Sequence, residues 1–147
     1  MTGRDPVLID TDIFGSVYVT PDRAAKRGLP VAEWRRAVEG ARVFVTFQTR
    51  AELLAGAFID NWGEQRVGEL RRLLDTTPTI GADQAVVDAY ARLRAECRSA
   101  GHPLQDKQHN ADRWNAACAI AKGLPLFAHD GIYAGAPRLM LLGTPGV

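Results

Sequence analysis

Residues 6–10 read Pro6-Val7-Leu8-Ile9-Asp10, a short apolar run with no polar alternation. A strand of that kind is buried on both faces. Sheets made of such strands need helices on either side. The rest of the chain supplies them. Val31, Trp34, Ala37 and Val38 recur at helical spacing, and Gly40 ends that helix. Arg42–Thr46 reads as a second strand. A helix from Thr49 sets Leu53, Leu54, Ala57 and Phe58 on one face, and Gly63 breaks it. Val67, Leu70, Leu73 and Leu74 mark the next helix, stopped by Thr76-Thr77-Pro78. Thr79-Ile80 reads as a short edge strand. Residues 84–100 form the most regular helix, with Val86, Val87, Tyr90, Leu93 and Cys97 inward and Gly101 as its C′ glycine. Residues 102–110 are polar and read as a loop. A last helix spans about residues 112–122, with Trp114, Ala117, Cys118 and Ala121 inward and Gly123 after it. Leu126-Phe127 and Leu139-Met140-Leu141-Leu142 are the final strands. The stretch after Asp12, with Thr20-Pro21-Asp22, reads as a loop.

Strands alternating with helices predict an α/β fold with a mostly parallel central sheet. The 147 residues suit a single domain over 1–147. Hydrophobic residues make up 46% and charged residues 24%, a globular balance that excludes a disordered chain. No apolar run approaches the roughly 20 residues of a membrane span, and residues 1–6 lack a signal-peptide apolar region. A cytoplasmic protein is expected. Cys97 and Cys118 lack Cys-x-x-Cys spacing, so buried free thiols are expected rather than a disulfide or zinc site. The net charge of +1 excludes a global basic field for nucleic acid.

Four acids sit where elements change type. Asp10 closes the first strand, Glu52 opens the helix after the second, Asp112 opens the last helix, and Asp130 follows Leu126-Phe127. In a parallel sheet, strand C-termini and the helix N-termini near them share one edge, where ligands bind. Four carboxylates on that edge would repel one another without a divalent cation. Mg²⁺ and Mn²⁺ prefer carboxylate and water oxygens, and they suit phosphodiester hydrolysis by activating water and neutralising phosphate charge.

Each acid also has a plainer role. Thr49-Arg50-Ala51-Glu52 fits a capping box, with Thr49 at N-cap and Glu52 at N3. Asn110 fits an N-cap, with Asp112 favourable in the first turn. Asp130-Gly131 is a common turn pair. Asp10 is hardest to explain away, because it ends a buried strand where an unpaired charge is costly. Asp12 and Asp106 are additional candidates, with loop roles as their alternatives. His102, His109 and His129 form no recognisable ligand set.

The segments Leu8-Ile9-Asp10-Thr11-Asp12, residues 49–56, residues 112–119 and residues 123–130, in this order, resemble the PIN-domain family, especially VapC-type toxins of bacterial toxin–antitoxin pairs. The resemblance implies a three-layer α/β/α fold and Mg²⁺- or Mn²⁺-dependent endoribonuclease activity on structured RNA such as tRNA or rRNA. It places the family's acidic quartet on Asp10, Glu52, Asp112 and Asp130. It also implies a homodimer and a small VapB-type antitoxin as partner. Asp12 stands where Asn or Ser is usual, and Ala128 where Thr or Ser is common. Among arginines that would position RNA, Arg113 stands beside Asp112, with an outward salt bridge as its alternative.

Two other functions compete. Asp10-Thr11-Asp12 also looks like the Asp-x-Asp of haloacid-dehalogenase-type phosphatases. Those need a downstream lysine, and Lys107 and Lys122 are poorly placed. An inactive PIN domain that only binds RNA or a partner is the non-enzymatic alternative.

Overall fold

In the computed structural model, which describes residues 5–143, five parallel strands make the central sheet. They are β1 (Pro6–Ile9), β2 (Arg42–Thr46), β3 (Thr79–Ile80), β4 (Leu126–Phe127) and β5 (Leu141–Leu142), ordered β3-β2-β1-β4-β5. Leu8 stands opposite Phe44 on one side and Leu126 on the other, so β1 is central. The chain builds outward from β1 through β2 to β3. It then returns across the sheet to place β4 on the other flank of β1. That reversal makes the β1/β4 junction a topological switch point, the usual place for a ligand crevice.

Successive β1 side chains enter opposite layers, as a pleated strand requires. Val7 and Ile9 pack with Ile13, Phe14, Trp34 and Leu74 on one face. Leu8 packs with Val86, Leu93, Ala117 and Cys118 on the other. Helices α1 (Thr11–Phe14), α2 (Pro21–Lys26), α3 (Val31–Val38), α4 (Phe47–Ile59) and α5 (Glu64–Asp75) belong to the first layer. Helices α6 (Gln84–Ala100) and α7 (Asn110–Lys122) form the second and pack on each other. The fold is the expected three-layer α/β/α arrangement. Gly101 and Gly123 end α6 and α7 with φ of 70° and 64°, a left-handed conformation that disfavours a Cβ. Both cysteines are buried free thiols.

Several elements differ from expectation. Residues 11–19 are helical, with α1 running into a π-helical segment at Gly15–Val19. Its glycine and β-branched residues are weak helix formers, which hid it in the sequence. Residues 102–110 contain two short 3₁₀ turns, Pro103–Gln105 and Lys107–His109. Val87 is exposed, because Val86, Leu93 and Cys97 set the buried face of α6 and the next residue turns away by about 100°. Phe58 is also exposed, near the Arg71 guanidinium. Among the described residues no helix is long and apolar enough to cross a membrane.

Candidate active site

The strand ends and helix starts set five acids along one edge, where Asp12 interacts electrostatically with each of the other four. Asp10 follows β1 at the switch point and is 5% exposed. Asp12 lies in the first turn of α1. Glu52 projects from α4, Asp112 from the first turn of α7, and Asp130 from the turn after β4. Burial pushes the Asp10 carboxyl up to about 7, reinforced by the charges of Asp12 and Asp112. Burial also raises Asp12, with Asp130 and Asp112 adding repulsion and His129 and Arg27 partly offsetting it. Glu52 is raised chiefly by burial, against hydrogen bonds from Gln48 and Thr11. Among the described residues, none of the five pairs with a lysine or arginine. Asp112 instead meets the imidazole of His109, whose Nδ1 lies 3.2 Å from Oδ2.

Neutral donors fill the gap. Asn115 Nδ2 donates to Asp10 Oδ1 at 2.7 Å, and the Tyr133 hydroxyl reaches the same oxygen at 3.1 Å. The Asn115 amide turns its Nδ2 to Asp10 because an ionised carboxylate only accepts, and its Oδ1 accepts the Thr46 hydroxyl at 2.5 Å. Thr46 in turn accepts the Thr49 backbone N–H at 3.1 Å. A second chain runs through Thr11, whose hydroxyl lies 2.8 Å from that of Thr49 and donates to Glu52 at 3.3 Å. Both chains therefore deliver hydrogens to carboxylates, an order that favours ionised acids. Thr46, Thr49 and Asn115 are buried, so each bond forms where its loss would leave a polar group unsatisfied.

These bonds correct the capping-box expectation. Helix α4 starts at Phe47, and its cap is Thr46 rather than Thr49. Glu52 thus lies a turn too deep to cap the helix, and its carboxylate meets Thr11 instead. Asp130 does act as a cap, with Oδ1 accepting the Ile132 N–H at 3.0 Å. Helix α7 begins at Asn110, whose side chain accepts the Tyr90 hydroxyl rather than capping.

Arg113 needs the larger correction. It is 2% exposed, neither poised over a substrate nor paired outward. Its guanidinium donates to the carbonyls of Leu104 and Asp106 and to the Tyr90 hydroxyl. The Asp106 side chain is exposed, and its backbone carbonyl rather than its carboxylate is the contact. Neither residue joins the five acids. Lys122, weighed for a phosphatase role, pairs with Asp83 at 2.5 Å.

Sequence reasoning missed Thr11, Thr46, Thr49, Asn115 and Tyr133. A signal existed for two of them. Asn115 lies one helical turn after Asp112, hence on the same face. Tyr133 sits three residues after Asp130 on the 3₁₀ turn Gly131–Tyr133.

Oxygen donors of this kind fit a hard divalent cation. The fit lies in Asp10: a buried carboxylate among like charges lacks only positive charge. Among the described residues, no three His, Cys, Asp or Glu side chains converge tightly enough to enclose an ion alone. Mg²⁺ does not need that, since it keeps several waters and binds through one or two carboxylates.

The chain covers 93% of itself and 97% of the matched chain in VapBC2 from Rickettsia felis, solved bound to a promoter DNA fragment, at 20% identity and TM-score 0.71. For VapBC-1 from nontypeable Haemophilus influenzae the figures are 93%, 96%, 22% and 0.67. For FitAcB from Neisseria gonorrhoeae they are 93%, 96%, 18% and 0.69. At these identities the likeness shows a common fold. No curated protein sequence matches the chain. The PIN-domain family model, however, matches residues 7–138, which spans the sheet edge and all five acids. This protein belongs to the PIN-domain family.

Proposed function

We propose that the protein is a divalent-metal-dependent endoribonuclease, the toxin of a VapBC-type pair, acting at the edge built by Asp10, Glu52, Asp112 and Asp130. The observation that carries this reading is Asp10, buried beside Asp12 and Asp112 with no basic partner among the described residues. A divalent ion bound there would activate water and neutralise charge on the attacked phosphodiester. Asp10 and Asp112 would hold the ion most directly. Glu52 and Asp130 would orient water or a second ion. Asn115 and the Thr46 cap fix the Asp10 carboxylate, so it is already placed when substrate arrives. Asp12 adds a further carboxylate and raises the local demand for positive charge. Mg²⁺ or Mn²⁺ is the proposed cofactor.

Structured RNA, tRNA or rRNA, is the proposed substrate. A small VapB-type antitoxin and a second copy of the chain are the proposed protein partners. Exposed Tyr18, Phe58 and Ile59 provide apolar surface of the sort that protein partners cover. The solved VapBC complexes support the antitoxin assignment by analogy of fold.

The experiment is to incubate the purified chain with labelled tRNA and rRNA, with Mg²⁺ or with chelator, beside Asp10→Asn. Internal cleavage that needs Mg²⁺ and disappears in Asp10→Asn is expected. Phosphate release from small monoesters without RNA cleavage would indicate the phosphatase chemistry instead. RNA binding without cleavage at any metal concentration would indicate an inactive binding module.

A further inference from the structure

Tyr133 is fully buried, and its ring packs in the layer shared with α6 and α7. Its hydroxyl lies 3.1 Å from Asp10 Oδ1 and 3.2 Å from Asp112 Oδ1. A phenol has one hydrogen, and an ionised carboxylate only accepts. One acceptor would satisfy the buried hydroxyl. Here two carboxylates from different elements, the end of β1 and the first turn of α7, meet at it. Their Oδ1 atoms are therefore separated by no more than the two contact lengths together, although like charge drives them apart.

The hydroxyl is itself held in place. It sits at the end of the 3₁₀ turn Gly131–Tyr133, whose first N–H groups include the one bonded to Asp130 Oδ1. Asp10 is fixed independently by Asn115, and Asp112 by His109. Among the described residues, Tyr133 is thus the one side chain hydrogen-bonded to both carboxylates. Resting on the divalent-ion reading above, we propose that Tyr133 is a positioning residue for the metal: its hydroxyl, sharing one hydrogen between the two Oδ1 atoms, holds Asp10 and Asp112 near enough for one ion to reach both. It is not a ligand, and it takes no part in the reaction itself. Partners that orient metal ligands in this way typically contribute ten- to a hundredfold in affinity.

The test is Mn²⁺ binding, followed by electron paramagnetic resonance without RNA, on wild type and Tyr133→Phe. Phenylalanine keeps the buried ring and removes the hydroxyl alone. The variant should melt close to wild type and bind Mn²⁺ roughly ten- to a hundredfold more weakly. The Mg²⁺ concentration for half-maximal RNA cleavage should rise by the same factor, with saturating Mg²⁺ restoring the rate. Tyr133→Leu, which also removes the ring, should melt lower yet bind Mn²⁺ no more weakly than Tyr133→Phe. Unchanged Mn²⁺ affinity in folded Tyr133→Phe would overturn the proposal, and so would lost cleavage at unchanged affinity. A wild type that binds Mn²⁺ but cuts no RNA would sink the nuclease reading, while the binding comparison still decides the clamp. A wild type that binds no Mn²⁺ would overturn both.

Discussion

Two charges are buried on either side of the start of α7, and their surroundings differ. Arg113 belongs to α7, and its guanidinium turns back onto the segment that precedes the helix. The protein completes its environment, with two carbonyls, the Tyr90 hydroxyl and the Tyr90 ring at 5.4 Å. Asp10 lies at the sheet edge. It receives hydrogen bonds from Asn115 and Tyr133, yet the charges of Asp12 and Asp112 that act on it share its sign. A buried charge is costly unless it is paired or well bonded. Arg113 is well bonded, so its role is structural. Asp10 is short of positive charge, and a cation from solution would complete it.

Removing the incomplete charge should have the largest effect. Asp10→Asn should lower RNA cleavage by roughly a thousandfold or more, about 4 kcal/mol of transition-state stabilisation. Its melting temperature at neutral pH should be no lower than wild type, because the amide keeps the shape and removes the repulsion. Cleavage rates and thermal melts of the two proteins check this together.

The same repulsion should appear in the pH dependence of metal-free protein. The Asp10 carboxyl rises from 3.8 to about 7 on folding, so the folded state binds its proton more tightly than the unfolded chain. Its contribution is present in full below the unfolded value and is lost as pH rises through about 7. Over that window the loss amounts to up to about 4 kcal/mol. Melts in chelator should show wild type weakening against Asp10→Asn as pH rises. Saturating Mn²⁺ should remove most of that difference.

Opening the complete site should cost stability instead. Arg113→Ala leaves two carbonyls and a hydroxyl without their donor, on the order of 3 kcal/mol. Lysine should not rescue it, since an ammonium cannot span the three acceptors as the planar fork does. Denaturant melts check the loss, and protein still folded at lower temperature should keep the wild-type Mg²⁺ requirement. Asn115→Ala lies between the two cases. It removes a donor from Asp10 and an acceptor from Thr46, and should weaken Mn²⁺ binding roughly ten- to a hundredfold by calorimetry. Asp106→Asn should change little, within about 0.5 kcal/mol of stability and with full cleavage, because its carboxylate is exposed.

The sheet and the acids were legible because both depend on local order. Val7-Leu8-Ile9 announces a strand buried on two faces, and Asp10, Glu52, Asp112 and Asp130 fall at boundaries that any parallel sheet brings to one edge. The bonds that arrange them were not legible. Tyr133 reaches Asp10 across 123 positions, and Thr46 reaches Asn115 across 69. The freedom of Glu52 depends on where α4 begins, and a start at Phe47 rather than Thr49 turns a cap into a carboxylate that faces Thr11. Arg113 misled for another reason. Helix α7 is buried nearly all round, with Asn115, Ala116, Ala117, Cys118 and Ala119 all inside, so periodicity could not say which way a charge points.

On the reading proposed here, a divalent cation completes the edge around Asp10. The direct measurement is a Mn²⁺ titration of wild type and Asp10→Asn above neutral pH, with bound ion counted by electron paramagnetic resonance. Saturable binding in wild type that is lost in Asp10→Asn is the predicted result. Equal binding by the two proteins, or none by wild type, would contradict it.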